Sequence, residues 1–205
     1  MGLLHPNMDI PFNITRLSHV HLTSRDLDRT RHFYEKGLGL EVTDQDENWL
    51  YLRAIEETGH HAIVFEKTPP ADAGVCRAVT YRMYEDDDIR RAHDWFNERG
   101  HRADYFERPH QGMTLRLTDV VGVPIEFCAT MDQSENQMRR FHNHSGGRLA
   151  FLDHIQIATH DVQTAYQFYN DIGFRLTEYT ATDGSDEMWG VWLKRKNNTQ
   201  DVVFS

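Results

Sequence analysis

The sequence predicts an α+β fold built from repeated βαβββ units, and three observations carry that expectation. The phrase LSHVHLTSRDLDRTRHFYEKGLGL, from Leu17 to Leu40, returns as LDHIQIATHDVQTAYQFYNDIGF, from Leu152 to Phe174. Leu17, His19, Asp26, Phe33 and Tyr34 recur as Leu152, His154, Asp161, Phe168 and Tyr169 at one constant offset, which marks an internal repeat. Each copy reads as a strand followed by an Asp-started amphipathic helix, and three more strand-like runs follow the first copy.

Taken in order, residues 1–14 read as an irregular arm, because Pro6 and Pro11 block regular structure. Arg16 to Leu22 is the first strand, with Leu17, His19 and His21 on one face and Ser18, Val20 and Leu22 on the other. Ser24 or Asp26 caps a helix whose apolar residues are Leu27, Phe33 and Tyr34, and Gly37 and Gly39 end it. Strands are expected over 40–43, 49–54 and 61–66. After Pro69 and Pro70 a second unit follows: a strand over 77–83, a helix over 85–99, and strands over 103–107, 113–117 and 124–129. The acidic run Glu85, Asp86, Asp87, Asp88 sits where negative charge favours a helix N-terminus, so it is read as helix punctuation and not as a metal loop. A polar connector, Thr130 to Gly147, with a helix possible around 135–142, leads into the third unit. Its later strands are expected over 175–179, 188–195 and 201–204.

Bulk properties narrow the function classes. The chain has 205 residues, 39% hydrophobic and 26% charged, and no apolar run approaches the roughly 20 residues of a membrane span. A net charge of −10 argues against a nucleic-acid surface, which needs clustered Lys and Arg. Cys76 and Cys128 stand alone without CxxC spacing, so reduced thiols and a cytoplasmic location are expected. The opening residues lack the basic and apolar regions of a signal peptide. Thirteen histidines raise the prior for metal or proton chemistry. His142 and His144 lie in the flexible connector and read as surface residues. His60 and His61 are neighbours, and in a regular strand neighbours point to opposite faces, so both could not ligate one ion.

Residues 16–205 resemble the vicinal oxygen chelate superfamily (the glyoxalase/bleomycin-resistance/dihydroxybiphenyl dioxygenase fold). Within it they resemble the type I extradiol ring-cleaving dioxygenases of the homoprotocatechuate and catechol 2,3-dioxygenase type. The resemblance rests on DENWLYLRAIEETGHHAIVFEK, GVPIEF, RLAFLDHIQIATHDV and VWLKRK. It implies a two-unit structural domain over 15–130, a connector over 131–147 and the first half of a catalytic domain over 148–205. Three of an expected four units are then present. The third would have an open sheet edge, which proteins usually avoid, so either a longer chain or a second chain is expected to complete the fold.

The resemblance implies Fe(II), or Mn(II), held by two His and one Glu, with open positions for a catecholate and O2. His154 matches the first metal ligand. The other two would lie beyond Ser205, so these residues alone are expected to be metal-poor and inactive. Gln156 matches a polar Asn beside the metal and ring, and Trp192 matches an aromatic wall of the substrate pocket. Gln200 matches the acid–base His, a departure, since Gln can hydrogen-bond an oxygen species but cannot shuttle a proton.

A triad in the first two units would draw on His19, Glu126 and a residue near Val79, where no ligand-capable side chain falls, with His61 or His21 as substitutes. That site is not expected. The implied activity is extradiol opening of a catechol in aromatic degradation, in a homo-oligomer, with no nucleic-acid or membrane partner. The alternatives are a glyoxalase- or epimerase-like enzyme and a metal-free module that binds a small aromatic ligand.

Overall fold

Alternating apolar residues draw the first two units into one continuous sheet. The computed structural model describes residues 5–205, so part of the expected N-terminal arm lies outside the described residues. The first unit contains β1 (Ile14–Ser24), α1 (Leu27–Arg31), β2 (Glu41–Gln45), β3 (Trp49–Arg53) and β4 (Ile63–Lys67). The second contains β5 (Cys76–Met83), α2 (Asp86–Glu98), β6 (Asp104–Phe106), β7 (Thr114–Thr118) and β8 (Pro124–Cys128). Their strands run in the order β2-β3-β4-β1-β5-β8-β7-β6. β1 is parallel to β4, β5 is parallel to β8, and the antiparallel β1–β5 pair joins the two units at the centre.

The third unit contains β9 (Ile155–Ile157), α3 (Val162–Asp171), β10 (Arg175–Ala181), β11 (Met188–Lys194) and β12 (Val202–Phe204). It forms a separate four-stranded sheet, β10-β11-β12-β9. β9 is an edge strand, and among the described residues no strand pairs with its outer side. α3 packs against the helical face of the first sheet: Phe168 stacks on Phe96 at 6.0 Å, and Tyr169 meets Tyr81 at 6.0 Å. The Tyr169 hydroxyl donates to Asp119 at 3.0 Å. The fully buried Asp201 carboxylate accepts from the backbone N–H of Leu17 at 2.7 Å, Arg195 at 2.6 Å and Lys196 at 3.0 Å. These bonds satisfy a charge that would otherwise be costly to bury, and they tie the third unit to β1.

Three local expectations need correction. The helix expected around 135–142 is absent; only a short 3-10 turn, Phe141–Asn143, forms there. The Glu135 carbonyl is taken by Arg53, the Asn136 side chain accepts from Met138 N–H, and Arg139 has a left-handed φ of 66°, so the backbone cannot form a regular helix. The first helix shortens to five residues and continues as a π-helical turn, His32–Leu38. In that wider turn Phe33 is 56% exposed, whereas its repeat Phe168 is 6% exposed. Finally, the arm contains a core residue, since Phe12 is buried against Trp95, Phe96 and Phe127. No helix among the described residues is long and apolar enough to cross a membrane.

Candidate functional site

The strand registers decide which side chains share a face. Gln156 on β9 aligns with Val203 on β12, and Val203 aligns with Trp192 on β11. Aligned positions in a ladder point the same way, so Gln156 and Trp192 share one face of the second sheet. The opposite face carries Val191, Leu193, Val202 and Phe204, all buried in the main core with α3. His154 immediately precedes β9 and is exposed, two residues before Gln156. Three of the four expected site residues therefore gather on the face of the second sheet that the core does not use.

His154 is held from behind. Its Nδ1 lies 2.7 Å from the Asp153 carboxylate, and the other Asp153 oxygen accepts from Asn198 at 2.7 Å. The Lys196 ammonium donates to the Asp153 carbonyl and lies 3.5 Å from its carboxylate. Burial alone would raise the Asp153 pKa. The bond to His154, the Lys196 charge and the Asn198 bond together hold it below the usual carboxylate range. The His154 Nε2 makes no hydrogen bond with any described residue. A carboxylate on one ring nitrogen and a free second nitrogen is the usual arrangement of a metal-ligating histidine. Asp153, Lys196 and Asn198 were not singled out by the sequence; an acidic residue directly before the histidine was the available signal. The Gln156 amide donates to Ser205 Oγ at 2.8 Å. Gln200 sits half-buried in the loop between β11 and β12, and it makes no hydrogen bond to His154, Gln156 or Trp192 among the described residues.

His154 thus fits one position of a metal centre. Among the described residues no three His, Cys, Asp or Glu side chains converge to hold an ion, so these residues do not form a complete centre.

The first sheet holds the denser cluster of ionisable groups. His19, Thr80, Glu126 and Arg116 align across β1, β5, β8 and β7. The third position of a would-be triad is therefore Thr80; Val79 points into the core instead. Glu126 is 1% exposed and is gripped by Arg108 through both oxygens, at 2.6 and 3.2 Å, with Arg116 at 3.8 Å. A guanidinium already neutralises the carboxylate, which disfavours a metal there. Burial, followed by the Arg108 charge, lowers the pKa of both His19 and His21 to about 3. Burial, followed by the neighbouring His19 and His60, also holds His61 neutral. These histidines, Arg108 and Glu126 line a void of only about 20 Å³, room for about one water.

His60 and His61 precede β4 and are not part of a regular strand, so their rings approach, with Nδ1 atoms 3.1 Å apart. In the connector His142 is exposed, as expected of a surface residue, and His144 is half-exposed.

The profile of the Glyoxalase/Bleomycin resistance protein/Dioxygenase superfamily matches residues 16–127. The chain belongs to this superfamily. A metapyrocatechase from Geobacillus stearothermophilus is 26% identical over 94% of this chain and 61% of its own length. A manganese-dependent 2,3-dihydroxybiphenyl 1,2-dioxygenase from Geobacillus genomosp. 3 is 21% identical over 81% of this chain and 56% of its own. The homoprotocatechuate 2,3-dioxygenase of Brevibacterium fuscum, in complex with 3,4-dihydroxyphenylacetate, superposes with a TM-score of 0.90 at 30% identity. That match covers 99% of this chain and 63% of the other. The enzyme from Arthrobacter globiformis gives a TM-score of 0.88 at 30% identity, covering 96% of this chain and 61% of the other. This superfamily chain therefore spans roughly three-fifths of the relatives it matches, and its α+β architecture of two sheets is theirs.

Proposed function

We propose that this chain belongs to an extradiol dioxygenase, which opens the ring of a catechol with O2 to a muconic semialdehyde in aromatic degradation. The observation that carries the reading is the shared face of His154, Gln156 and Trp192, with His154 buttressed by Asp153, in a fold shared with extradiol enzymes. When bound, Fe(II) or Mn(II) would supply a Lewis acid for a chelating catecholate and the capacity to activate O2. His154 Nε2 is the nitrogen offered to it. Among the described residues no two further donors converge with it.

The roles of this chain's own groups follow from their chemistry. Trp192 supplies an apolar wall for a planar ring. Gln156 offers an amide donor beside His154, and its hydrogen bond to Ser205 fixes that amide. Gln200 can donate to or accept from a bound oxygen atom, but it holds no transferable proton at neutral pH, so proton movement falls to the substrate, water or another group. A cytoplasmic homo-oligomer belongs to the same reading, and the oligomer is checked by light scattering.

Metal content and the yellow ring-opened product, measured on the assembled, iron-loaded protein, test the proposal. His154→Ala is expected to lower catechol turnover at least about a thousandfold and to strip most of the iron. Unchanged turnover would end the dioxygenase reading at this site. Gln200, standing where the acid–base group is expected, favours a second reading, a small-aromatic binding module. A fully loaded protein that binds catechols and never yellows them would select it.

A further inference from the structure

A cavity of about 490 Å³ opens where β1, β5, the connector and the β11–β12 loop meet, and neither His154, Gln156 nor Trp192 lines it. Its size falls within the roughly 300–1,000 Å³ of small-molecule sites.

Two features of its wall call for a ligand. Arg16 and Arg82 are directly paired residues on β1 and β5, and both line the cavity. Like charges facing each other across a ladder destabilise a sheet unless something shares them. Among the described residues neither guanidinium forms an ion pair; the Arg16 Nε donates only to the Leu17 carbonyl at 3.0 Å. Most nearby carboxylates are already engaged. Glu57 accepts from the N–H groups of Ala54 and Leu152 at 3.0 and 3.1 Å, and Asp153 is held by Asn198, His154 and Lys196. Glu56 and Glu57 both line the cavity with the arginines, and Glu57 lies within the field of Arg16, but among the described residues neither carboxylate forms an ion pair with either guanidinium. His61 also lines the cavity; it is 3% exposed and its Nε2 has no hydrogen-bond partner.

The second feature is apolar. Met131, Met138 and Phe151 form another part of the wall, and Met138 and Phe151 remain 52% and 51% exposed. Flexible thioethers beside an aromatic ring suit a hydrophobic body of variable shape.

We propose that this cavity binds a small monocarboxylate with an apolar body, its carboxylate shared by Arg16 and Arg82 and its body lying against Met131, Met138 and Phe151. Guanidinium forks match a carboxylate geometrically, and sharing one anion would remove the repulsion between the paired arginines. The site adjoins the back of the His154 support through Asp153, Lys196 and Asn198, but its arginine pair and apolar wall lie apart from His154, Gln156 and Trp192, and it does not rest on the dioxygenase reading.

Calorimetric titration of the 205-residue chain with three probes tests the proposal: benzoate, the uncharged benzyl alcohol, and inorganic phosphate. Benzoate is expected to bind at millimolar concentration or tighter, at least about tenfold better than either of the others. R82Q and R16Q are each expected to weaken benzoate about tenfold, and R102Q, on a distant exposed residue, to leave it unchanged. Arg82 is exposed, so R82Q should retain the fold, checked by circular dichroism. Amide shifts of Met138 and Phe151 on adding benzoate place the ligand. Equal binding of benzyl alcohol, equal binding of phosphate, an R82Q protein with undiminished affinity, or no benzoate binding would each overturn the proposal.

Discussion

Single charged residues decide the different fates of the two sheets. In the first, Arg108 occupies the carboxylate of Glu126, and both side chains are largely buried, at 13% and 1% exposure. Removing one partner leaves an uncompensated buried charge, so Arg108→Ala is expected to cost about 3–5 kcal/mol in urea unfolding. The apolar double replacement Arg108→Met with Glu126→Leu should cost clearly less. Equal losses would show that packing, not charge, accounts for the effect. In the second sheet, the Asp153 carboxylate faces His154 Nδ1 and is expected to hold the proton there, leaving Nε2 as the lone-pair nitrogen. Asp153→Asn introduces a competing donor and is expected to shift His154 toward the Nε2–H tautomer, read from ring 15N shifts at neutral pH. Unaltered shifts would show that Asp153 does not set the tautomer.

At the scale of elements, the repeated aspartates act as helix caps. Asp26 accepts from Arg29 N–H and Asp161 from Thr164 N–H, each at 2.9 Å, as the repeated phrase predicts. Asp161→Ala is expected to lower the denaturation midpoint, and an unchanged midpoint would show that this cap contributes nothing. Glu85 stands at the N-cap of α2 and makes no capping bond, so Glu85→Ala should change stability by only a few tenths of a kcal/mol. The acidic run after it includes one residue with a tertiary role: Asp88 is fully buried, accepts from Asn13 N–H at 2.7 Å and pairs with Arg91. The first helix shows what a neighbouring segment imposes. Gly39, with φ of 82°, passes so close to the connector that a Cβ there would collide with the Ser145 carbonyl. The π-helical turn before it leaves Phe33 outside the core, although the sequence places it where Phe168 is buried.

Across the whole molecule, buried histidines tie stability to pH. The folded-state pKa values of His19 and His21 lie at about 3, and that of His61 is also lowered, against 6.5 when exposed. Below pH 6.5 the unfolded chain binds protons that the folded chain refuses, so stability is full above that pH and falls as pH drops toward 3. By pH 5 each such group is expected to cost up to about 2 kcal/mol, seen as a falling melting temperature between pH 7.5 and 5. His21→Gln should flatten part of that slope. A melting temperature independent of pH over this range would mean that the histidines are not held neutral. The His21 Nε2 lies 3.2 Å from the Glu66 carboxylate but is misaligned for a hydrogen bond, so burial prevails over that attraction.

The sequence by itself determined the repeat, the α+β class and the Asp caps, because periodicity and short-range capping are written in neighbouring residues. It also let Gln156 and Trp192 be compared by face, since alternation along a strand fixes the face once the register is known. Tertiary structure alone decided the rest. Which strand residue faces Glu126, Thr80 and not Val79, depends on a β1–β5 register with irregularities between Leu17 and His19. That Arg108 takes up the carboxylate, that Lys196 and Asn198 support Asp153 from over 40 residues away, and that Arg16 lies against Arg82 are long-range pairings. No local pattern encodes such contacts, because they come from the packing of whole units and not from the preferences of adjacent residues.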